Sequence, residues 1–378
     1  MNEEFGRKRR NKRGLTTKAK VIIAVVLVIY AVIMFGIGFI VFYKPSVSHE
    51  VPFNVPQTDA QGRTVEHEFR PKADTYNFLL LGRDKMATLT DVMMIINVDT
   101  AENSVSVMQI PRDTFIAGNY PTNKMNAVYS TLYYNMFRQT GDEKDAASFA
   151  LNEFTKLIEQ SLCINIHYSA IINLEGFKNI VDILGGVDVN VQFPLNYVDP
   201  EQGLYIDIPA GYQHLNGAQA EGFVRFRHDF ATQDMGRQDN QKKFLFALFS
   251  KIKSTVKITE IPRLTQLANE IYDNLLTDLP ATDVVFFAKC LLGVDSDNIR
   301  MFTIPGSLPG GDFYIINKAG AIHAVNQYFN AYSQEITDYM FDPNQVFNDY
   351  SGAYDAPAEY AEFGKVYENG EEIYIMPG

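Results

Sequence analysis

The chain has 378 residues, 46% of them hydrophobic and 13% aromatic, enough apolar side chain to bury a large core. Its 33 Lys and Arg stand against 45 Asp and Glu, a net charge of −12, and the basic residues crowd into the N-terminus. The acidic remainder has no electrostatic footprint for DNA or RNA, and two cysteines without CxxC or Cys/His spacing give no support to zinc.

Residues 1–20 carry eight Lys or Arg against Glu3 and Glu4, a net of +6, which leaves −18 on residues 21–378. Val21 to Tyr43 then runs for 23 residues without a charged side chain. As a helix it reaches roughly 35 Å, against a hydrocarbon core of about 30 Å. Ser46-Val47-Ser48 has the small-x-small form of a signal-peptide cleavage site, but a cleavable apolar region usually runs only about 7–15 residues. Residues 21–43 therefore read as an uncleaved transmembrane anchor. The basic segment 1–20 is placed in the cytoplasm, and everything after Lys44 outside the cell membrane. Residues 44–75, with Lys44-Pro45, Val51-Pro52, Val55-Pro56 and Arg70-Pro71, read as an extended stalk or a first edge strand.

Beyond the stalk, Asn77–Leu81 is a short apolar run. Asp91–Asp99 and Ser104–Ile110 read as strands of a hairpin turning at residues 100–103. Asn126–Phe137 and Ala146–Leu162 repeat apolar residues at three and four, as helices do. Ser169–Asn173 reads as a strand, Leu174–Leu184 as a helix ended by Gly185-Gly186, and Val187–Val191 as a strand. Gly211–Asn216 reads as a polar bend before a short helix, Val224–Arg227 as a strand, and Asp239–Ile252 as an amphipathic helix. Leu264–Leu276 and Ala281–Leu292 are predicted helices, Ile299–Ile304 a strand and Lys318–Tyr332 a helix. Strands interleaved with helices predict an α/β domain over residues 76–333 around a mixed sheet. Residues 334–378, acidic and rich in Tyr and Gly, read as a tail. Cys163 and Cys290 are either buried thiols or one long-range disulfide.

Four charged motifs stand at the ends of these elements: Gly82-Arg83-Asp84, Thr90-Asp91, Ile110-Pro111-Arg112-Asp113, and Val224–His228 followed by Gly236-Arg237. Separated arginines mixed with acids are what a pyrophosphate site requires. Guanidinium is permanently charged and matches phosphate oxygens bidentately, while carboxylates supply Mg²⁺. Asp84 and Asp91, seven residues apart, are a candidate metal pair, with a turn or cap as the plain alternative. Pro111 ends a strand and sets the direction in which Arg112 and Asp113 leave it; a salt bridge between those two is the alternative. In a strand, Arg225 and Arg227 share one face about 6–7 Å apart, and two such charges call for an anion between them. Arg237 and Gln241, four apart, share a helix face near amides that favour phosphate. His228 is either a proton carrier or the partner of a carboxylate. No Gly-x-Ser-x-Gly elbow and no P-loop occurs. The stripes Tyr129, Tyr133, Tyr134, Phe137 and Phe244, Phe246, Phe249 either line a lipid groove or fill a core.

In this order, NFLLLGRD, TDVMMIINVD, VSVMQIPRDTFI, KMNAVYS, LGGVDVNV, HLNGAQAEGFVRFRH and DMGRQDNQKKFL span about Tyr76 to Tyr332. Together they resemble the LytR–CpsA–Psr family of cell-envelope proteins. The resemblance implies an α/β/α sandwich with an apolar tunnel for a lipid tail. It also implies a membrane-anchored phosphotransferase of Gram-positive cell-wall biogenesis. Such a ligase moves an anionic glycopolymer, such as teichoic acid or capsule, from a polyprenyl-pyrophosphate carrier to peptidoglycan. By position, Asp84 and Asp91 would serve Mg²⁺, and Asp91 also the acceptor hydroxyl. Arg112, Arg225, Arg227, Arg237 and Gln241 would grip the pyrophosphate, with Arg83 as a further candidate. Leu89 and Asn240 stand where the family usually has arginines. They leave a second reading open, a polyprenyl-pyrophosphate glycan-binding or regulatory protein.

Overall fold

The computed structural model describes residues 72–84, 89–201, 203–227, 233–255, 260–309, 312–338, 340–342 and 344–348, with Lys44, Pro45 and two short strand pairs (Gln57–Thr58 with Thr64–Val65, Lys365–Glu368 with Glu371–Tyr374). The expected segments 1–20 and 21–43, most of the stalk, His228 and most of the chain after 348 lie outside the described residues. Among the described residues no helix is long and apolar enough to cross a membrane. Residues 1–46 and 47–378 are two separate units, and the elements below belong to the second.

From Thr75 the chain forms β1 (Thr75–Arg83), β2 (Thr90–Asp99), β3 (Ser104–Gln109), α1 (Asn126–Thr140), α2 (Glu143–Leu162), β4 (Tyr168–Asn173) and α3 (Leu174–Ile183). Two hairpin-like pairs follow: β5 (Val187–Val191), β6 (Leu195–Asp199), β7 (Leu204–Ile208) and β8 (Gly211–Leu215). The remainder is α4 (Gly217–Arg225), α5 (Gln233–Thr255), α6 (Ile261–Tyr272), β9 (Leu276–Thr277), α7 (Ala281–Gly293), β10 (Ile299–Thr303) and α8 (Lys318–Ala324).

Six strands make one mixed sheet in the order β9-β4-β1-β2-β3-β10. β1 lies parallel to β4 and β3 parallel to β10, while the other neighbours are antiparallel. Side chains alternate across it as a two-residue period requires. Leu79, Leu81, Met93, Ile95 and Met108 face one way, into a core with Tyr129, Phe154 and Ile158 of α1 and α2. Met94, Val98, Val105, Val107 and Met301 face the other way, toward Phe246 and Leu245 of α5 and Leu291 of α7. Helices thus cover both faces, the layered α/β arrangement expected. A separate small core joins β5–β8 to Phe223 of α4 and Phe244 of α5.

Several expectations fail locally. Val224–Arg227 is not a strand: α4 runs through Arg225 and ends on Phe226. Its start is fixed by a reciprocal cap, Asn216 Oδ1 accepting from Gln219 N while Gln219 Oε1 accepts from Asn216 N. Buried Ala220, Phe223 and Phe226 recur at helical spacing. Gly211–Asn216 is a strand more than a bend, because β8 pairs with β5. α5 begins at Gln233, so Arg237 sits inside it instead of ahead of it. The predicted helix over Lys318–Tyr332 stops at Ala324 and continues as a π-turn over Val325–Phe329. Packing does not stop at residue 333 either, since Ile336, Met340, Phe341 and Phe347 are buried against the α1/α2 core. Cys163 and Cys290 are both free thiols, so the long-range disulfide is absent.

Candidate functional site

The register between β1 and β2 breaks at one point. Gly82 pairs with Val92, but the next residue, Arg83, pairs with Thr90. Asp91 is therefore the extra residue of a β-bulge, a device that re-aims a side chain. The glycine fits closely there, because a Cβ on Gly82 would meet Val92 Cβ at 3.0 Å. Asp84 closes the neck of the following loop. Its N–H donates to Leu89 O at 3.0 Å, and its Oδ1 accepts from Leu89 N at 3.1 Å.

Two arginines converge on the re-aimed carboxylate. Arg112 Nη1 donates to Asp91 Oδ1 at 3.1 Å, and Arg237 Nη1 stands 3.9 Å from the same oxygen. Arg112 reaches it because the chain turns after β3, with Thr114 N–H and Oγ1 both donating to Pro111 O. The anticipated local pair exists too: Arg112 Nε lies 3.5 Å from Asp113 Oδ2, and Lys124 shares Asp113 at 2.8 Å. Arg237 comes from α5 on the opposite side of the sheet, its side chain only 6% exposed, while that of Asp91 is 35% exposed. A permanently charged, buried side chain aimed at an accessible carboxylate marks an anion site more than a surface ion pair.

Gln241, four residues after Arg237 on α5, is held by a residue the motifs did not single out. Buried Gln109, the last residue of β3, donates from Nε2 to Gln241 Oε1 at 2.7 Å. Gln241 Nε2 in turn donates to Val224 O at 3.3 Å. The only signal for Gln109 in the sequence is an amide inside the otherwise apolar end of SVSVMQI. Asn240 is buried and donates to Phe223 O at 3.3 Å, satisfying a carbonyl in the last turn of α4.

The remaining predicted residues are dispersed. Arg225 is bound by its own acid, Nη1 donating to Glu221 Oε1 at 2.6 Å one helical turn away. Arg227 is exposed beyond Phe226 and forms no ion pair among the described residues. The expected pair of guanidiniums on one strand face does not form, because a helix end turns successive residues by about 100° where a strand would alternate them. Arg83 is half-buried and lies in a recess of about 330 Å³ beside Asn173 and Tyr129.

For Mg²⁺ the donor set can be judged directly. Among the described residues no group of three or more His, Cys, Asp or Glu side chains converges on a metal position. Asp91, however, uses only Oδ1 for its arginines. One or two carboxylates completed by phosphate oxygens and water are the usual Mg²⁺ environment at phosphoryl sites; Asp91 offers one such carboxylate, while Asp84 Oδ1 is taken by Leu89 N.

The two sheet faces differ in dryness. On the α1/α2 side Leu79, Leu81, Met93 and Ile95 are fully buried. On the α5/α7 side Phe78, Leu80, Val92 and Ile96 are only half-buried, although they lie on central strands under a helical layer. These side chains pack against the buried cluster of this face together with Leu245 and Phe249, and all of them keep some contact with solvent. Tyr129 and Tyr133 belong to the dry core, Phe244 to the small one and Phe246 to the α5/α7 cluster, while Tyr134 is exposed and Phe249 half-buried.

Comparison with known proteins is consistent with this geometry. The model of the LytR_cpsA_psr family matches residues 46–339. TagV of Bacillus subtilis (strain 168), a polyisoprenyl-teichoic acid–peptidoglycan teichoic acid transferase, is 28% identical over 246 residues, 62% of this chain and 58% of TagV. LcpA of Corynebacterium glutamicum, a cell wall biosynthesis protein, is 28% identical over 287 residues, 72% of this chain and 53% of LcpA. The chain thus spans little more than half the length of these two relatives. The crystal structure of B. subtilis TagV superposes with a TM-score of 0.52 at 25% identity, over 66% of this chain and 94% of that one. A Streptococcus agalactiae protein shares the fold with a TM-score of 0.56 at 21% identity, over 73% and 93% of the two chains.

Proposed function

This chain belongs to the LytR–CpsA–Psr family, and from that premise we propose that it is a membrane-anchored phosphotransferase moving a polyprenyl-pyrophosphate-linked glycopolymer to peptidoglycan. The observation that carries the reading is the adjacency of two residues. Asp91 turns its carboxylate toward Arg112 and Arg237, and its neighbour Val92 lies half-buried on the apolar face toward α5 and α7. A charged head group and a greasy tail are thereby offered places one residue apart, as an amphipathic lipid diphosphate demands. The transferase names of relatives such as TagV support transfer over the binding-only alternative.

In this reading the diphosphate displaces Asp91 from its arginines. Arg112 and Arg237 carry ten N–H donors between them and stabilise the charge that builds on the departing polyprenyl phosphate. Gln109 holds Gln241, which lies one turn after Arg237 on the same face of α5. The acceptor hydroxyl oxygen attacks the sugar-linked phosphorus. A P–O bond forms to it, the bond to the bridging oxygen breaks, and the hydroxyl proton passes to Asp91. Mg²⁺ held by Asp91 and Asp84 would supply further neutralisation of the diphosphate. Arg225 and Arg227 remain at the rim, Arg225 released only if Glu221 is drawn to Lys178, 3.9 Å away. Residues 21–43 would hold the domain outside the cytoplasmic membrane, where both substrates lie.

The test uses the full chain in detergent, with an undecaprenyl-pyrophosphate sugar and a glycan acceptor. Mg²⁺-dependent release of undecaprenyl phosphate coupled to transfer is expected, and loss of both on Arg112→Ala. Equal turnover by wild type and Arg112→Ala would overturn the proposal.

A further inference from the structure

The recess around Arg83 begins at the strand end that carries the bulge. Arg83 pairs with Thr90, the residue before Asp91, so recess and cluster share one turn of backbone. Its walls come from three places: Arg83 at the end of β1, Asn173 and Asn179 of the β4–α3 segment, and Asp273 and Asn274 after α6. The walls press closely, since a Cβ on Gly176 would meet Asn274 O at 2.6 Å. Asn179 Nδ2 donates to Asn274 Oδ1 at 3.0 Å across the opening, and both side chains are exposed. The Arg83 side chain makes no hydrogen bond or ion pair among the described residues, while its backbone is held in the sheet.

The chemistry of this lining differs from that of the cluster. One arginine is balanced by Asp273 and by Glu175, and Glu175 is already paired with Lys178 at 2.9 Å. A phosphate would meet one cation and two acids. Several amides, a guanidinium and a carboxylate over an apolar floor of Ile171 and Leu276 instead match a pyranose ring. Its hydroxyls and any acetamido group need mixed donors and acceptors, and its C–H face needs an apolar seat. At about 330 Å³ the recess is of a size for one or two such rings.

We infer that the recess between β1, α3 and the turn after α6 is the saccharide subsite that seats the uncharged acceptor glycan, with its hydroxyl directed over the bulge to Asp91. The inference rests on the transferase reading for its role, and on the recess alone for its ligand class.

The experiment separates the two. Chitotetraose binding to the full chain in detergent is measured by saturation-transfer NMR and calorimetry, apart from any turnover. Wild type is expected to bind it, and Asn179→Ala and Arg83→Leu to weaken binding about tenfold, the effect of one or two lost hydrogen bonds. Gly176→Ala, which forces the walls apart, should weaken it as well. In the transfer assay Asn179→Ala should raise the acceptor KM by a similar factor while the KM for lipid diphosphate stays put. No chitotetraose binding by wild type, or binding indifferent to Asn179 and Arg83, overturns the inference even where transfer is observed. Binding that depends on both residues in a chain without transferase activity upholds the subsite and sinks the transferase reading.

Discussion

Arg112 Nη1 donates to Asp91 Oδ1 at 3.1 Å, so the diphosphate of the proposed reaction would compete with this carboxylate for the guanidinium. Asp91 is thus a place-holder for the anion as well as a candidate base. Asp91→Asn keeps the shape and removes the competing charge. It should tighten inorganic pyrophosphate binding several-fold, because Arg112 and Arg237 lose their resident anion. Transfer should nevertheless fall by on the order of 100-fold, the usual contribution of a general base. Calorimetry and the transfer assay check the two signs separately; loss of both binding and transfer would mark Asp91 as purely structural.

Gly82 and Val92 set the bulge that aims Asp91. A methyl group added by Gly82→Ala meets Val92 Cβ at 3.0 Å. Overpacking of this kind costs typically about 1–3 kcal/mol, readable as a lowered midpoint in chemical denaturation. Transfer should drop further than that loss accounts for, since Asp91 is displaced from Arg112. Val92→Ala in the same chain should restore much of both, and a strictly additive double mutant would refute the contact.

The parts of this architecture that local spacing controls were legible in the chain. The alternating runs of β1–β3 and the stop at Pro111 follow from residues adjacent in sequence, whereas the meeting of Asp91, Arg112 and Arg237 was expected only from the family resemblance. The Arg225/Arg227 pair was not. Val-Arg-Phe-Arg alternates over four residues, and a helix end satisfies that pattern as well as a strand; the deciding signal is the Asn216–Gln219 cap eight residues upstream. The bulge was hidden because register is a relation between two strands. Gln109 was hidden because a single amide in a strand has no period. Which aromatic stripe would stay open, Tyr129 and Tyr133 or the strand residues facing Phe249, depends on how tightly each helical layer settles on the sheet.

Asn240 gives a sharper test of the missing arginine. Its buried amide serves Phe223 O at the end of α4. Asn240→Arg therefore removes a hydrogen bond and forces a larger charged group into a filled site. A loss of about 1–3 kcal/mol is expected, with no gain in transfer. Leu89→Arg, at the half-buried mouth of the loop closed by Asp84, should be tolerated. A rise in transfer for Asn240→Arg would show that the cluster lacks a charge that this helix can supply.

Burial also fixes a pH dependence. Glu159 of α2 is pushed up to about 7, first by desolvation, with its hydrogen bond from Ile166 N acting in the opposite direction. An acid whose folded pKa lies above its unfolded value stabilises least when ionised. Its penalty is absent below about 4.5, grows as pH rises, and is complete above about 7. Glu159→Gln keeps an acceptor for Ile166 and removes the charge. The variant should match wild type near pH 4.5 and exceed it at pH 8 by up to roughly 3 kcal/mol, an upper bound from the shift. Thermal melts at the two pH values check this, and an advantage confined to low pH would contradict it.

The half-open face of the sheet makes the last prediction. Leu80 and Ile96 are neighbours on central strands, yet neither is fully covered by α5 and α7. Central positions of a sheet layered on both sides are normally dry, so in the proposed function this less covered face is where a ligand tail would lie. Ile96→Phe covers part of it, and the fold should lose less than about 1 kcal/mol. Affinity for undecaprenyl pyrophosphate should fall, while affinity for inorganic pyrophosphate, which needs only Arg112 and Arg237, should not change. The contrast between the two ligands is the measurement. If both weaken together, the substitution has disturbed the head-group cluster and the face is no lipid channel; if neither does, the polyprenyl chain lies elsewhere on the protein.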